Sequence, residues 1–407
     1  MLTDYWRFAR AHPRFIGFGF FLAFLSSAGQ TYFIGVLGTG IQAEFDLDAG
    51  EWGRIYMIGT LASAFVLNWS GSLIDRYDLR GFTLAVLLGL VLACLLMSSV
   101  SGPLMLIGAI FLLRQFGQGL TSHTAITSMA RYHVADRGKA IALASIGYSA
   151  GEAILPVLGV VALENIGWRQ AYQWVALAVA VSIPVALWLL KGHGARHDRH
   201  AQALQRREAE NPGNAGYTRL QMLSERRFYL ILPALMAPSA IGTALFFFPA
   251  EILRAKGWSG LWLTGNYWMY SMVTMAVTIY SGILIDRFSA RQVVPFYLLP
   301  FVFSLVILGL WDHAWAVWPY LGLMGICIGL YFTGFSALWA ELYGARHLGA
   351  IKSLTTAINV FSTALGPAFM GTLLSLGTSF SMICLIFAGY CLAATVLLVY
   401  ALRARGG

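Results

Sequence analysis

The sequence predicts an all-α integral membrane protein: twelve transmembrane helices in two pseudo-symmetric six-helix bundles, with both termini cytoplasmic. Three observations carry this expectation. Of 407 residues, 58% are hydrophobic and 11% charged, whereas a soluble domain is typically about 25% charged; the mean hydropathy is +0.69. Twelve apolar runs are each long enough for a ~30 Å hydrocarbon layer at about 20 residues. A backbone without water must satisfy its own polar groups, so such runs are helices or a closed barrel. They are continuous and do not alternate at period two, which selects helices. Finally, Gly71-Ser72-Leu73-Ile74-Asp75-Arg76-Tyr77-Asp78-Leu79-Arg80 returns as Gly282-Ile283-Leu284-Ile285-Asp286-Arg287-Phe288-Ser289-Ala290-Arg291, at a constant offset of 282 − 71 = 211. Pro156 and Pro367 share that offset, as do Tyr56 and Tyr267. Repetition on this scale marks two homologous halves.

In chain order the helices are expected at 14–41, 51–75, 82–101, 104–132, 138–164 and 168–191, then 226–254, 259–285, 291–311, 314–343, 347–375 and 379–402. The domains are residues 1–191, a cytoplasmic linker 192–225, and residues 226–407. With the N-terminus inside, 22 of the 27 Lys and Arg residues fall on the cytoplasmic side. Arg54, Arg169, Arg254 and Lys256 fall outside, and Arg114 is within a helix. The positive-inside rule fixes the orientation. The net charge of +9 then reflects topology and anionic lipid, and calls for no nucleic-acid partner. The linker is polar, with a short surface helix expected around 198–210. Its His193, His197 and His200 are too loosely spaced for a metal site. The first outer loop is acidic through Glu44, Asp46, Asp48 and Glu51. Cys94, Cys327, Cys384 and Cys391 sit inside apolar runs and read as small core residues. The first apolar run is longer than the core of a signal peptide and leads into a multi-span chain, so no cleaved leader is expected. The expected location is a bacterial inner (plasma) membrane, and the expected state a monomer.

Six helices, a loop and six helices of the same design is the internal-repeat plan of secondary transporters, with substrate near the midplane between the halves. Here the chain resembles the major facilitator superfamily. Its signature Gly-x-x-x-Asp-[Arg/Lys]-x-Gly-[Arg/Lys]-[Arg/Lys] is matched by Gly71, Asp75, Arg76 and Arg80, with Asp78 and Leu79 as departures. The second copy keeps Gly282, Asp286, Arg287 and Arg291, with Ser289 and Ala290 departing. Arg114-Gln115-Phe116-Gly117-Gln118-Gly119 looks like the family's intramembrane Arg followed by a Gln-Gly pair. Gly151-Glu152-Ala153-Ile154-Leu155-Pro156-Val157-Leu158-Gly159 resembles the antiporter motif of helix five, but lacks the Gly before Pro and carries a carboxylate. The resemblance implies that the Gly71–Arg80 turn latches the halves on the cytoplasmic side. Asp75 ends its helix, where the macrodipole disfavours a carboxylate, so its expected partner is the start of helix eleven near His347–Lys352, or Arg131.

Arg114 lies about ten residues into helix four, some 15 Å deep at ~1.5 Å per residue. An ionisable group there costs roughly 2.5 kcal/mol or more and is functional by default. Gln118 shares its helix face and His123 points nearly opposite. Glu152 sits at similar depth on helix five, so an ion pair with Arg114 is geometrically reasonable. Burial raises a carboxylate's pKa and a nearby Arg lowers it. A substrate anion competing for Arg114 would therefore move a proton at Glu152, with His123 as a possible relay. Neutral polar residues complete the candidate substrate site: Gln30, Gln118, Asn266, Tyr270, Tyr331 and Asn359. The expected function is proton-coupled symport of a small, monocarboxylate-like organic anion by alternating access. The alternative is a proton-coupled drug or metabolite efflux antiporter. The sequence offers no metal cluster, phosphate-binding glycine loop, nucleophile elbow or nucleotide-binding domain. Neither an enzyme nor a cofactor is expected.

Overall fold

A computed structural model describes residues 2–133, 136–192, 219–344 and 348–403. The linker histidines, the expected 198–210 helix, His347 and the side chain of Asp75 lie outside what is described. Among the described residues the chain is helical, with no strand.

The long helices are α1 (Pro13–Phe45), α2 (Ala49–Ser70), α3 (Leu79–Ser98), α4 (Pro103–Tyr132), α5 (Arg137–Asn165) and α6 (Gly167–Leu189). They continue as α7 (Arg226–Phe247), α8 (Gly260–Phe288), α9 (Ala290–Leu310), α10 (Ala314–Tyr343), α11 (Leu348–Ser375) and α12 (Phe380–Arg403). Eleven of these, among the described residues, are long and apolar enough to cross a membrane. The remaining one, α2, has 22 residues, enough length. Its Glu51 and Arg54, with hydroxyls at Thr60, Ser63 and Ser70, dilute its apolar character.

By contacts the chain forms two compact units, Met1–Ile41 with Ile58–Pro212, and Gln42–Met57 with Gly213–Gly407. In the first, α1 packs on α5 and α4, and α3 packs on α6. In the second, α7 packs on α11 and α12, α8 on α10, and α9 on α10 and α12. The pairs α1–α5 and α7–α11 are equivalent, and glycines set both. A Cβ on Gly147 would stand 2.1 Å from the Phe20 carbonyl, and one on Gly366 1.9 Å from that of Ala240. The four cysteines are free and buried.

Several expected helices are more broken than their apolar runs suggest: α8 turns at Asn266 and α9 passes through a 3₁₀ turn at Val294–Phe296, and four others are interrupted as follows. The expected 226–254 helix ends at Phe247, because Pro249 has no N–H and starts a separate helix, Pro249–Lys256. The expected 51–75 helix ends at Ser70 and tightens into a 3₁₀ turn over Gly71–Asp75. α1 is interrupted by a 3₁₀ turn at Ser26–Gly29 and an extended Gln30 (ψ 152°). α4 widens into a π-helical stretch over Leu113–Thr121. The last two interruptions face each other.

Candidate functional site

The site begins at the break in α1. The amides of Phe33 and Ile34 both turn to the Gln30 carbonyl, at 3.2 Å each. That leaves the Gly29 carbonyl to a side chain from another helix. Arg114 takes it: the guanidinium donates to Gly29 O at 3.3 Å and to Thr31 Oγ1 at 3.2 Å. Arg114 is only 1% exposed, so these acceptors offset the cost of burying its charge.

Two glycines allow the approach. A Cβ on Gly29 would lie 2.2 Å from the Leu113 carbonyl and 2.8 Å from Gly117 Cα. The π-helical stretch presents that carbonyl and turns Arg114 inward; single wide turns of this kind often mark functional positions.

Glu152 reaches the same break from α5. Its neighbour Gly151 abuts Ser27, whose Oγ would stand 1.9 Å from an added Cβ. The Tyr32 hydroxyl donates to Ser27 Oγ at 2.7 Å. The Glu152 carboxyl lies within electrostatic range of that hydroxyl, as does Tyr148. The Tyr148 and Ser122 hydroxyls are 2.5 Å apart. Both intramembrane charges thus converge on residues 27–32. Gln118 is half-buried on the π-helical stretch.

His123 stands elsewhere. Its ring lies against Gly71, 3.6 Å from where a Cβ would be, and its nitrogens are 3.4 Å from the Thr127 hydroxyl. It belongs with the Gly71 turn. Sequence reasoning also passed over Gln115, which is buried and ties α4 to α2: it accepts from Ser63 at 3.2 Å and donates to Ser70 at 2.7 Å. Its position beside Arg114 was the available signal.

The second unit holds the neutral candidates. Ser239 donates to Asn359 Oδ1 at 3.4 Å, and the buried Tyr331 hydroxyl lies beside both side chains. Tyr270 packs edge-on against Phe246, with ring centroids 5.3 Å apart. Asn266 is engaged at the start of α8: it donates to the Trp262 carbonyl at 2.7 Å and accepts the Trp318 indole N–H at 2.9 Å.

The repeated turns are built differently. In the first, Arg131 of α4 donates to the Ile74 carbonyl at 3.2 Å. Asp78 caps α3 by accepting the amides of Arg80 and Gly81, and the Arg80 guanidinium donates to Leu190 O at the end of α6. Arg76 is exposed. In the second, Glu341 of α10 accepts the amides of Ala290 and Arg291 at 2.6 and 3.1 Å. Gly282 is half-buried, Asp286 and Arg287 are exposed, and Arg287 lies over the Phe288 ring.

A family model described as Major Facilitator Superfamily matches residues 19–280 and 267–406, nearly the whole chain. The chain belongs to the major facilitator superfamily. The family resemblance carried by the two turns and the Arg114 segment is therefore correct, and the protein is a multi-pass membrane protein of a transporter family. Solved members have the same fold. The nucleoside transporter NupG matches with a TM-score of 0.72 at 13% identity, over 97% of this chain and 99% of that one. A bacterial homolog of the human lysosomal transporter Spinster, in an inward-facing and unoccupied conformation, matches with a TM-score of 0.67 at 15% identity, over 96% and 93%. No curated protein matches the chain. At these identities the likeness concerns the fold alone.

Proposed function

We propose that this major facilitator carries a small, monocarboxylate-like organic anion by proton-coupled symport. The observation that carries the reading is the buried Arg114, bonded to the open carbonyl of a broken helix with Glu152 at the same break. The planar guanidinium fork is the side chain best matched to a carboxylate. In this reading an anion arriving at Arg114 offsets the local positive charge, and the Glu152 carboxyl at the same break takes a proton in response. Gln30 and Gln118 supply neutral hydrogen bonds beside the anchor. Tyr331 and Asn359, with Ser239 beside them, form a second polar cluster for recognition, and Tyr270 lines the same unit against Phe246. The two turns, Gly71–Arg80 and Gly282–Arg291, act as conformational latches of alternating access, and His123 acts through the first of them.

The test uses purified protein in liposomes under an imposed pH gradient. A labelled monocarboxylate is expected to accumulate with inward proton flow. Arg114→Gln should cut uptake about 10- to 100-fold, as expected for loss of a charge-assisted hydrogen bond worth about 1.5–3 kcal/mol. Glu152→Gln should still exchange anion but no longer accumulate it in response to pH. Normal uptake by Arg114→Gln overturns the anchor. Export of a neutral or cationic solute against inward proton flow, with no carboxylate uptake, replaces this reading with an efflux antiporter.

A further inference from the structure

At the cytoplasmic end of the α3–α6 pair lies an open cavity of about 440 Å³, lined by Arg80, Gly81, Leu84, Leu187, Trp188 and Lys191. Its two cations stand over an apolar floor. Arg80 donates through Nε and one terminal nitrogen to Leu190 O, at 3.3 and 2.9 Å. That bond satisfies the negative end of α6 and holds the guanidinium at the rim with further donors to spare. Lys191 is exposed. A third cation, Arg14, sits over the Trp188 ring at 5.3 Å. Asp78 already occupies the amides at the start of α3, so an anion here meets side-chain cations and no free helix end.

The floor continues outward. Leu84, Leu88, Leu92 and Leu95 form one exposed row along α3, and Val181, Val185 and Trp188 one along α6. Exposed apolar rows on a spanning helix pair face lipid tails. A ligand for this cavity therefore needs a phosphate-like anion at one end and a long apolar tail at the other.

We infer that the cavity is a binding site for one anionic phospholipid of the cytoplasmic leaflet. The phosphate lies between Arg80 and Lys191. One acyl chain runs over Leu84 and Leu187 and along the exposed rows. Arginine and lysine near an anionic membrane surface each contribute about 1 kcal/mol, or roughly five-fold in affinity.

The experiment is native mass spectrometry of the full-length protein in detergent, titrated separately with phosphatidylglycerol and phosphatidylcholine of the same chain length. The expected result is one preferred phosphatidylglycerol, weakened at least five-fold by Lys191→Glu, an exposed position where folding is not at stake. Leu84→Gln should weaken it as well. Equal binding of the two lipids overturns the inference, as does phosphatidylglycerol binding unaffected by Lys191→Glu. Competition by glycerol phosphate or inorganic phosphate at equal concentration also overturns it, because the site would then hold a soluble phosphate.

Discussion

Arg114 in α4 and Gly325 in α10 stand 211 residues apart, at the same place in two copies of one design. The first copy is charged and bent there: α1 breaks at Ser26–Gly29 and α4 widens over Leu113–Thr121. The second is neutral and continuous, α7 running from Arg226 to Phe247 and α10 from Val317 to Tyr343. Proline does not explain the contrast, since α7 carries Pro233 and Pro238 inside an unbroken helix. At this pair of positions the distortion accompanies the buried guanidinium. A buried guanidinium needs acceptors, and a broken helix supplies a carbonyl that an intact one keeps for itself.

The largest expected effect tests that contrast at Gly29. Its counterpart in the second copy is Ala240, so alanine is compatible with the design when no π-helical partner crowds it. In the first copy a methyl would meet Leu113 O at 2.2 Å, and backbone cannot give way as a side chain can. Gly29→Ala should cost about 1–3 kcal/mol, typical of overpacking, read as a lower thermal unfolding midpoint in detergent. Unchanged stability would mean that the close α1–α4 approach is not required.

The turns show the same contrast at a smaller scale. The family signature places glycine at positions 78 and 289. Asp78 has relaxed to φ −58° and uses its side chain as a local cap. Ser289 keeps φ +73°, which a side chain adopts only under strain, and Glu341 of α10 reaches across to cap the turn. Ser289→Gly should therefore stabilise by about 1 kcal/mol, the low end of the strain at such positions. Asp78→Gly should destabilise through loss of a cap. Both can be read from unfolding midpoints, and stabilisation by both variants would erase the distinction.

Much of this was legible in the chain. Continuous apolar runs, the 211-residue offset and the placement of basic residues gave the helices and the repeat, because hydrocarbon constrains long segments strongly. Arg114 and Glu152 stood out because charge within a span is costly. The breaks were not legible. Ser26-Ser27-Ala28-Gly29-Gln30 contains no proline, and its interruption depends on what α4 offers in space. Gln115 was hidden by its neighbour's charge. Asn266 looked like a cavity residue by periodicity, yet its partners Trp262 and Trp318 are set by the α8–α10 packing.

The smallest effect concerns the outer starts of α2 and α8, again 211 residues apart. Ser259 caps α8 with a neutral hydroxyl, accepting the Trp262 amide at 3.1 Å. At the same position before α2 stands Asp48, in a reciprocal capping box: it accepts the Glu51 amide at 2.7 Å while Glu51 accepts the Asp48 amide at 3.0 Å. Within the second unit Ser375 of α11 adds a tertiary tie, donating to Asp48 at 3.1 Å and accepting the Gly50 amide at 2.8 Å. The Glu51 amide, followed by the Ser375 hydroxyl, holds the Asp48 carboxyl below the usual carboxylate range. A folded-state pKa below the unfolded one contributes stability that is full above the unfolded value of about 4 and is lost as pH falls through the depressed one. Wild-type protein should therefore lose part of its stability below about pH 4. Asp48→Asn should flatten that part of the profile, and Ser259→Ala should lower stability equally at all pH values. Because Asp48 is exposed, the pH-dependent difference should be small, and a profile unchanged by Asp48→Asn would assign the acid sensitivity to other carboxylates.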